Sequence, residues 1–129
     1  MDCFDISASG LSAQRARLDL IASNIANAET TRTPGGGPYR RLQAVFASRG
    51  DEAGGVEVLG VATDPREPRR AYQPGHPDAD AEGVVAYPNV NIVEEMVDLV
   101  SATRSYQANA AAFNAAKAMA QHALDLGRA

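Results

Sequence analysis

The chain has 129 residues, with 12 Lys and Arg against 16 Asp and Glu and a formal charge of −4. That balance gives no reason to expect a nucleic-acid backbone as partner, because such binding rests on a basic surface. The length suits one domain; aromatics are only 5% and tryptophan is absent, so any core is built from small aliphatic side chains.

Cys3 is the single cysteine, which excludes an intrachain disulfide and a thiolate metal cluster. The opening "MDCFDISASG" has neither a basic n-region nor a continuous apolar run, so no cleaved secretory signal is expected. No stretch of about 20 apolar residues could cross a bilayer. These signs point to a cytoplasmic protein, or to one leaving the cell by a route that does not read a signal peptide.

From Phe4 to about Ala28 the pattern is helical. Phe4, Leu11, Leu18 and Ile25 recur at heptad spacing, with Ile21 and Ala28 filling the same stripe. Gly10 weakens this helix by roughly 1 kcal/mol relative to alanine. "TTRTPGGGP" then stops it, since Pro34 and Pro38 cannot continue a helix. The middle, Tyr39 to Pro88, reads as short strands and turns: "YRRLQAVF", "VEVLGVA" and "VVAY" alternate or are β-branched, whereas "DPREPRR" and "QPGHPDADAEG" are rich in turn formers. A piece of this size has too little core to be an independent enzyme, and a small hairpin-based β unit is expected.

Helical periodicity resumes at Asn91 and runs to about Leu126. Asn91 is a good N-cap with Glu94 at the capping-box position, and Glu94 and Glu95 suit the positive end of the helix dipole. Ile92, Leu99, Tyr106, Phe113 and Ala120 repeat at heptad spacing, as do Met96, Thr103, Ala110, Lys117 and Leu124. Together they predict a seam about 50 Å long, breached at Lys117. Pairing the two helices would cover one seam and no more. Val93, Val97 and Val100 lie off it, as do Ile6 and Leu20 on the first helix. Such a surplus of apolar surface marks an interaction face. The helix is therefore expected to pack against several copies or relatives of itself.

Several stretches imitate chemical sites. Asp78, Asp80 and Glu82 resemble the start of a calcium loop, but Asn89 stands at the twelfth position, where a bidentate glutamate belongs. "TPGGGP" lacks the lysine and hydroxyl of a phosphate cradle. His76 and His122 are far apart and lack further zinc ligands, and no nucleophile motif occurs. No cofactor, metal or small-molecule substrate is expected. Arg66, Arg69 and Arg70 form a loop cluster, with Arg40 and Arg41 upstream, read as solvated or salt-bridged.

"SASGLSAQRARLDLIASNIANAET", Ser7 to Thr30, resembles the N-terminal signature of bacterial flagellar rod and hook proteins. That signature joins a heptad helix to an Asn-x-x-Asn-x-x-Thr ending, matched by Asn24, Asn27 and Thr30. His76 to Met119 is closer still to the proximal-rod branch of that family, through the junction "YPNVN-x-VEEM" with Pro88, Asn89, Asn91 and Glu94. Ser23 departs from the signature, which usually has asparagine there. The resemblance covers roughly two-thirds of the chain. It implies an axial protein without catalytic activity, exported uncleaved through the flagellar type III apparatus to the periplasm-spanning rod. Its partners would be copies of itself, other rod proteins and the export apparatus.

The expected fold is α+β: an N-terminal axial helix (1–30), a loop and small β unit (31–88) and a C-terminal axial helix (89–129) pairing as a coiled-coil-like hairpin. Phe4, Leu11, Leu18, Ile21, Ile25, Ile92, Met96, Leu99, Tyr106, Ala110 and Phe113 would carry axial packing. Asn24 and Asn27 would satisfy the end of the first helix. The alternative is a cytoplasmic adaptor whose helices bind a partner helix.

Overall fold

The computed structural model describes residues 3–52 and 54–128; Met1, Asp2 and Ala129, outermost in the expected terminal segments, lie outside the described residues. The order is α1 (Cys3–Ala26), β1 (Leu42–Ser48), β2 (Val56–Thr63), β3 (Arg69–Tyr72), β4 (Val84–Tyr87) and α2 (Ile92–Arg128), an α+β architecture.

α1 stops just short of the expected Ala28 because Asn27 closes it. The Ser23 carbonyl accepts both the Asn27 backbone N–H at 3.0 Å and the Asn27 side-chain amide at 2.8 Å. The Thr30 hydroxyl then donates to Asn27 Oδ1 at 3.1 Å. α2 starts where Asn91 Oδ1 accepts the Val93 N–H at 3.0 Å, an N-cap. Glu94 does not complete a capping box; its carboxylate turns to Arg66 at 3.5 Å.

Between the helices the strands form two small two-stranded sheets, β1-β2 and β3-β4, in keeping with the hairpin-based β unit expected. β3 comes from "RRAY", so Arg69 and Arg70 lie on a strand and not in a loop. It pairs antiparallel with β4, Arg69 opposite Tyr87 and Tyr72 opposite Val84. The Arg69 guanidinium lies over the Tyr87 ring, 4.7 Å from its centre, and the Tyr87 hydroxyl bonds Gln73 Oε1. A strand of four residues is too short for periodicity to reveal; its partner strand holds it.

The described residues fall into two compact units. One is drawn from Met1–Leu18, Ala44–Gly60 and Val100–Ala129. Here α1 and α2 run antiparallel, with Phe4 edge-on against Phe113 at 5.1 Å between ring centres. A Cβ at Gly10 would sit 2.6 Å from Asn109 Oδ1, so this glycine gives α2 its close approach. Gly55, at φ 99°, takes a backbone shape that other residues rarely adopt. The same turn lies against Ser9, whose Oγ accepts the Val56 N–H at 3.1 Å and donates to the Ile6 carbonyl at 2.7 Å. The buried side chains of this unit, Ser7, Ser9, Ala13 and Ala102, are all small.

The other unit is drawn from Asp19–Gln43 and Val61–Leu99. It buries Ile21, Ala28, Val85 and Tyr87, and with them the polar Asn24, Asp64 and Glu95. The accessible surface of the chain is 8550 Å².

Candidate assembly surface

Three of the deeply buried residues of the second unit, Asn24, Asp64 and Glu95, belong to a polar node. Asn24 lies on the last turns of α1 and is 1% exposed. Its amide oxygen accepts the Leu42 N–H at 3.0 Å and the Tyr39 hydroxyl at 2.9 Å. Its amide nitrogen donates to the Leu42 carbonyl at 2.9 Å and to Glu95 Oε2 at 3.4 Å. Both backbone groups of Leu42 are thus held by one side chain, which acts as a neighbouring strand would. Every hydrogen-bonding position of the amide is filled. Asn24, expected to satisfy or cap the end of α1, is buried on its inward face and bonds Leu42 of β1.

Arg41 binds the other side of Glu95, whose carboxylate is wholly buried. The same guanidinium reaches Asp64 at 3.3 Å and Asp98 at 3.2 Å. Asp64 also accepts the Arg66 backbone N–H at 2.9 Å and its guanidinium at 2.9 Å. Hydrogen bonding from Arg66, more than any other influence, holds the Asp64 carboxyl well below the usual carboxylate range. Asn89 ties the node to the junction before α2: it accepts the Arg41 N–H at 2.9 Å and donates to the Arg66 carbonyl at 2.9 Å. Glu95, Ala102, Asn109 and Ala116 form the inward heptad of α2. Its low hydrophobicity hid it from periodicity. Asp64 and Arg41 carried no sequence signal beyond their charge.

The residues expected to pack axially lie mostly beside these inward faces. Ile21 is buried; Phe4, Leu11, Leu18, Ile25, Leu99, Ala110 and Phe113 are half-buried. Ile92, Met96 and Tyr106 are 41%, 53% and 37% exposed. At 3.6 residues per turn, the Phe4–Leu11–Leu18–Ile25 stripe centres roughly 140° round the helix from Ala13 and Asn24. On α2 a separate stripe of Val93, Met96, Val97 and Val100 lies almost opposite Glu95 and Ala102, and all four side chains are more than half exposed. Residues 117–128 are exposed throughout. On the β1-β2 sheet, Val45, Val58, Leu59 and Val61 also face solvent. These are surfaces for contact.

Little chemistry is available elsewhere. Among the described residues no group of three or more His, Cys, Asp or Glu could hold a metal ion. Asp80 spends its Oδ1 on the Glu82 and Val84 N–H groups, and Asp78 is engaged by Thr31 and Arg32. A hollow of about 210 Å³ beside Arg66, Arg69 and Asn89 is smaller than the usual ligand pocket. No helix among the described residues is long and apolar enough to cross a membrane.

Comparison with known proteins places both helices in one group of relatives. The family described as "Flagella basal body rod protein" matches residues 4–32, and "Flagellar basal body rod FlgEFG protein C-terminal" matches residues 81–126. The flagellar basal-body rod protein FlgC of Yersinia enterocolitica is 47% identical over 131 residues, covering 99% of this chain and 98% of the relative. The chain belongs to the FlgC family. The FlgC proteins of Salmonella typhimurium and Bacillus subtilis are 46% and 41% identical. They cover 99% and 96% of this chain, and 98% and 95% of their own lengths. As a FlgC-family chain, this protein is a structural subunit of the flagellar basal-body rod. Its relatives are structural rod proteins, and membership implies assembly with other rod proteins at the basal body.

Proposed function

We propose that this chain works by mechanical coupling alone, as a non-catalytic subunit polymerising through its terminal helices in the proximal part of the rod. It reaches the periplasm-spanning rod uncleaved through the flagellar type III apparatus, and that apparatus is its partner before assembly. Residues 1–30 and 89–129 serve as the axial segments, and residues 31–88 form a β region outside them. Phe4, Leu11, Leu18, Ile21 and Ile25 on α1, and Ile92, Met96, Leu99, Tyr106, Ala110 and Phe113 on α2, carry the axial packing. Asn27 and Thr30 close the first helix and Asn91 opens the second, while Asn24 holds β1 and Pro88, Asn89 and Glu94 shape the junction between them. The observation that carries this reading is the apolar surface left half-open or open along both helices. Interlocked apolar seams resist shear, so torque passes along the polymer.

Leu18 tests it. In an assembled seam Leu18→Asp would bury an unpaired carboxylate, which costs several kcal/mol per copy even after relaxation. The penalty recurs in every subunit. Asp19, exposed on the neighbouring face, serves as the control. In a strain lacking this protein, Leu18→Asp is expected to be made and exported but to leave cells non-motile and without rods by electron microscopy. Asp19→Ala is expected to restore swimming. Normal motility with Leu18→Asp would remove the stripe from axial assembly.

A further inference from the structure

We propose that His76 makes the 73–83 loop a proton-sensitive clasp: it holds the segment after α1 while the imidazole is neutral and releases it when the ring takes up a proton. The device belongs to the chain itself and does not depend on which neighbours the chain meets in the rod.

The loop joins β3 to β4 and begins as a tight turn. The His76 N–H donates to the Gln73 carbonyl at 3.0 Å, and the Ala79 N–H donates to the His76 carbonyl at 3.1 Å. Inside this turn the Asp78 N–H donates to His76 Nδ1, also at 3.0 Å. A side-chain acceptor that takes the N–H two residues on is the closure that Asn or Asp supplies in an Asx turn. An asparagine amide keeps its acceptor at any pH. An imidazole loses it on protonation, since both ring nitrogens are then donors. Pro77, between the two partners, has a fixed φ and leaves the turn little freedom to adjust. The half-buried ring meets Tyr87 of β4 edge-on, 6.2 Å between centres.

Asp78 supplies the grip. Its Oδ2 accepts the Thr31 hydroxyl at 2.6 Å, and its Oδ1 pairs with the Arg32 guanidinium. Thr31 and Arg32 lie just past the end of α1, so two connecting segments distant in sequence are held by one carboxylate. The Thr31 hydroxyl, more than any other influence, lowers the Asp78 carboxyl from its ordinary value. Asp78 therefore stays charged across the range of about pH 5 to 8 in which histidines change charge. Around His76 stand Asp78 of its own turn, Tyr87 with Arg69 of β3 over the same ring, and Arg32 across the clasp. Asp80 and Glu82 follow in the loop, where Asp80 Oδ1 is occupied by the Glu82 and Val84 N–H groups. A proton on Nδ1 sets two N–H groups face to face, and one of them has to move. If the Asp78 peptide swings away, its carboxylate leaves Thr31. If the ring turns, its new charge is drawn to the Asp78 carboxylate and competes there with Arg32. Either movement loosens the same clasp.

NMR of the full chain between pH 8 and pH 5 tests this, with His122→Gln so that His76 is the single histidine. The amide signals of Thr31, Arg32 and Asp78 are expected to shift with the same midpoint as the His76 ring. Protection of the Asp78 amide from hydrogen exchange is expected to fall roughly fivefold, the worth of one hydrogen bond. His76→Asn keeps an acceptor for the Asp78 N–H without a change of charge, and is expected to hold the high-pH signals throughout. His76→Ala has no acceptor, and at pH 8 is expected to give the Thr31 and Arg32 signals that the histidine chain gives at pH 5. A His76 ring that titrates while Thr31 and Arg32 stay unmoved would overturn the proposal. So would the same pH response in the His76→Asn chain, or unchanged Thr31 and Arg32 signals in His76→Ala. If His76→Ala does not fold, the histidine chain and His76→Asn decide the matter by the first two criteria.

Discussion

At the residue scale, Asn24 concentrates more of the fold in one side chain than its size suggests. Replacing it with alanine strips partners from both backbone groups of Leu42, from Tyr39 and from Glu95. Each polar group left buried and unpaired costs about 1–3 kcal/mol. Part of this is relieved by water, and Asn24→Ala is expected to lower stability by roughly 3 kcal/mol, read from the urea midpoint followed by tyrosine fluorescence. A change below about 1 kcal/mol would mean that the node contributes little. Asp64 supplies a second expectation, in acid. Its carboxyl is held below the ordinary value in the folded chain, so between the folded and unfolded values the unfolded chain binds more protons. The stabilisation is present above the ordinary carboxylate value near pH 4 and is lost as pH falls further. Urea midpoints measured downward from pH 6 should fall below about pH 4, and more steeply for the native chain than for Asp64→Asn.

At the element scale, the two long helices were legible because heptad repeats, an N-cap at Asn91 and the proline-glycine stop after Thr30 all agree. The apolar surplus at Val93, Val97 and Val100 was legible for the same reason. The inward faces were not, since they are lined by Ser9, Ala13, Asn24, Glu95 and Ala102, residues that a search for large apolar side chains passes over. β3 escaped because "RRAY" is short and follows Pro68; its register comes from β4, not from its own alternation. The Arg41–Glu95 pair, 54 residues apart in sequence, needs tertiary structure to be seen at all. Helix cover also sets an expectation for dynamics. In the isolated chain, residues 117–128 should exchange amide hydrogens at nearly unprotected rates, while the turns around Asn24 and Glu95 exchange slowly. Assembly should bring protection to the tail. Slow exchange there in a proven monomer would show that the tail needs no partner.

At the scale of the whole molecule, the two units are filled differently. One closes by letting small side chains and Gly10 bring helices together; the other closes around paired charges and a saturated amide. Neither depends on a large apolar core, which leaves the aliphatic side chains of α2 facing outward for other chains. The choice of an ionic and amide centre over an oily one bears on how a loaded subunit fails. Within one subunit, an oily contact between elements has several resting places one turn apart, so steady load could walk it slowly from one to the next. The Asn24 amide has a single seat, and a displacement of one residue gives up its hydrogen bonds together. Inside the subunit such a joint should not creep under load; it holds its position until it lets go.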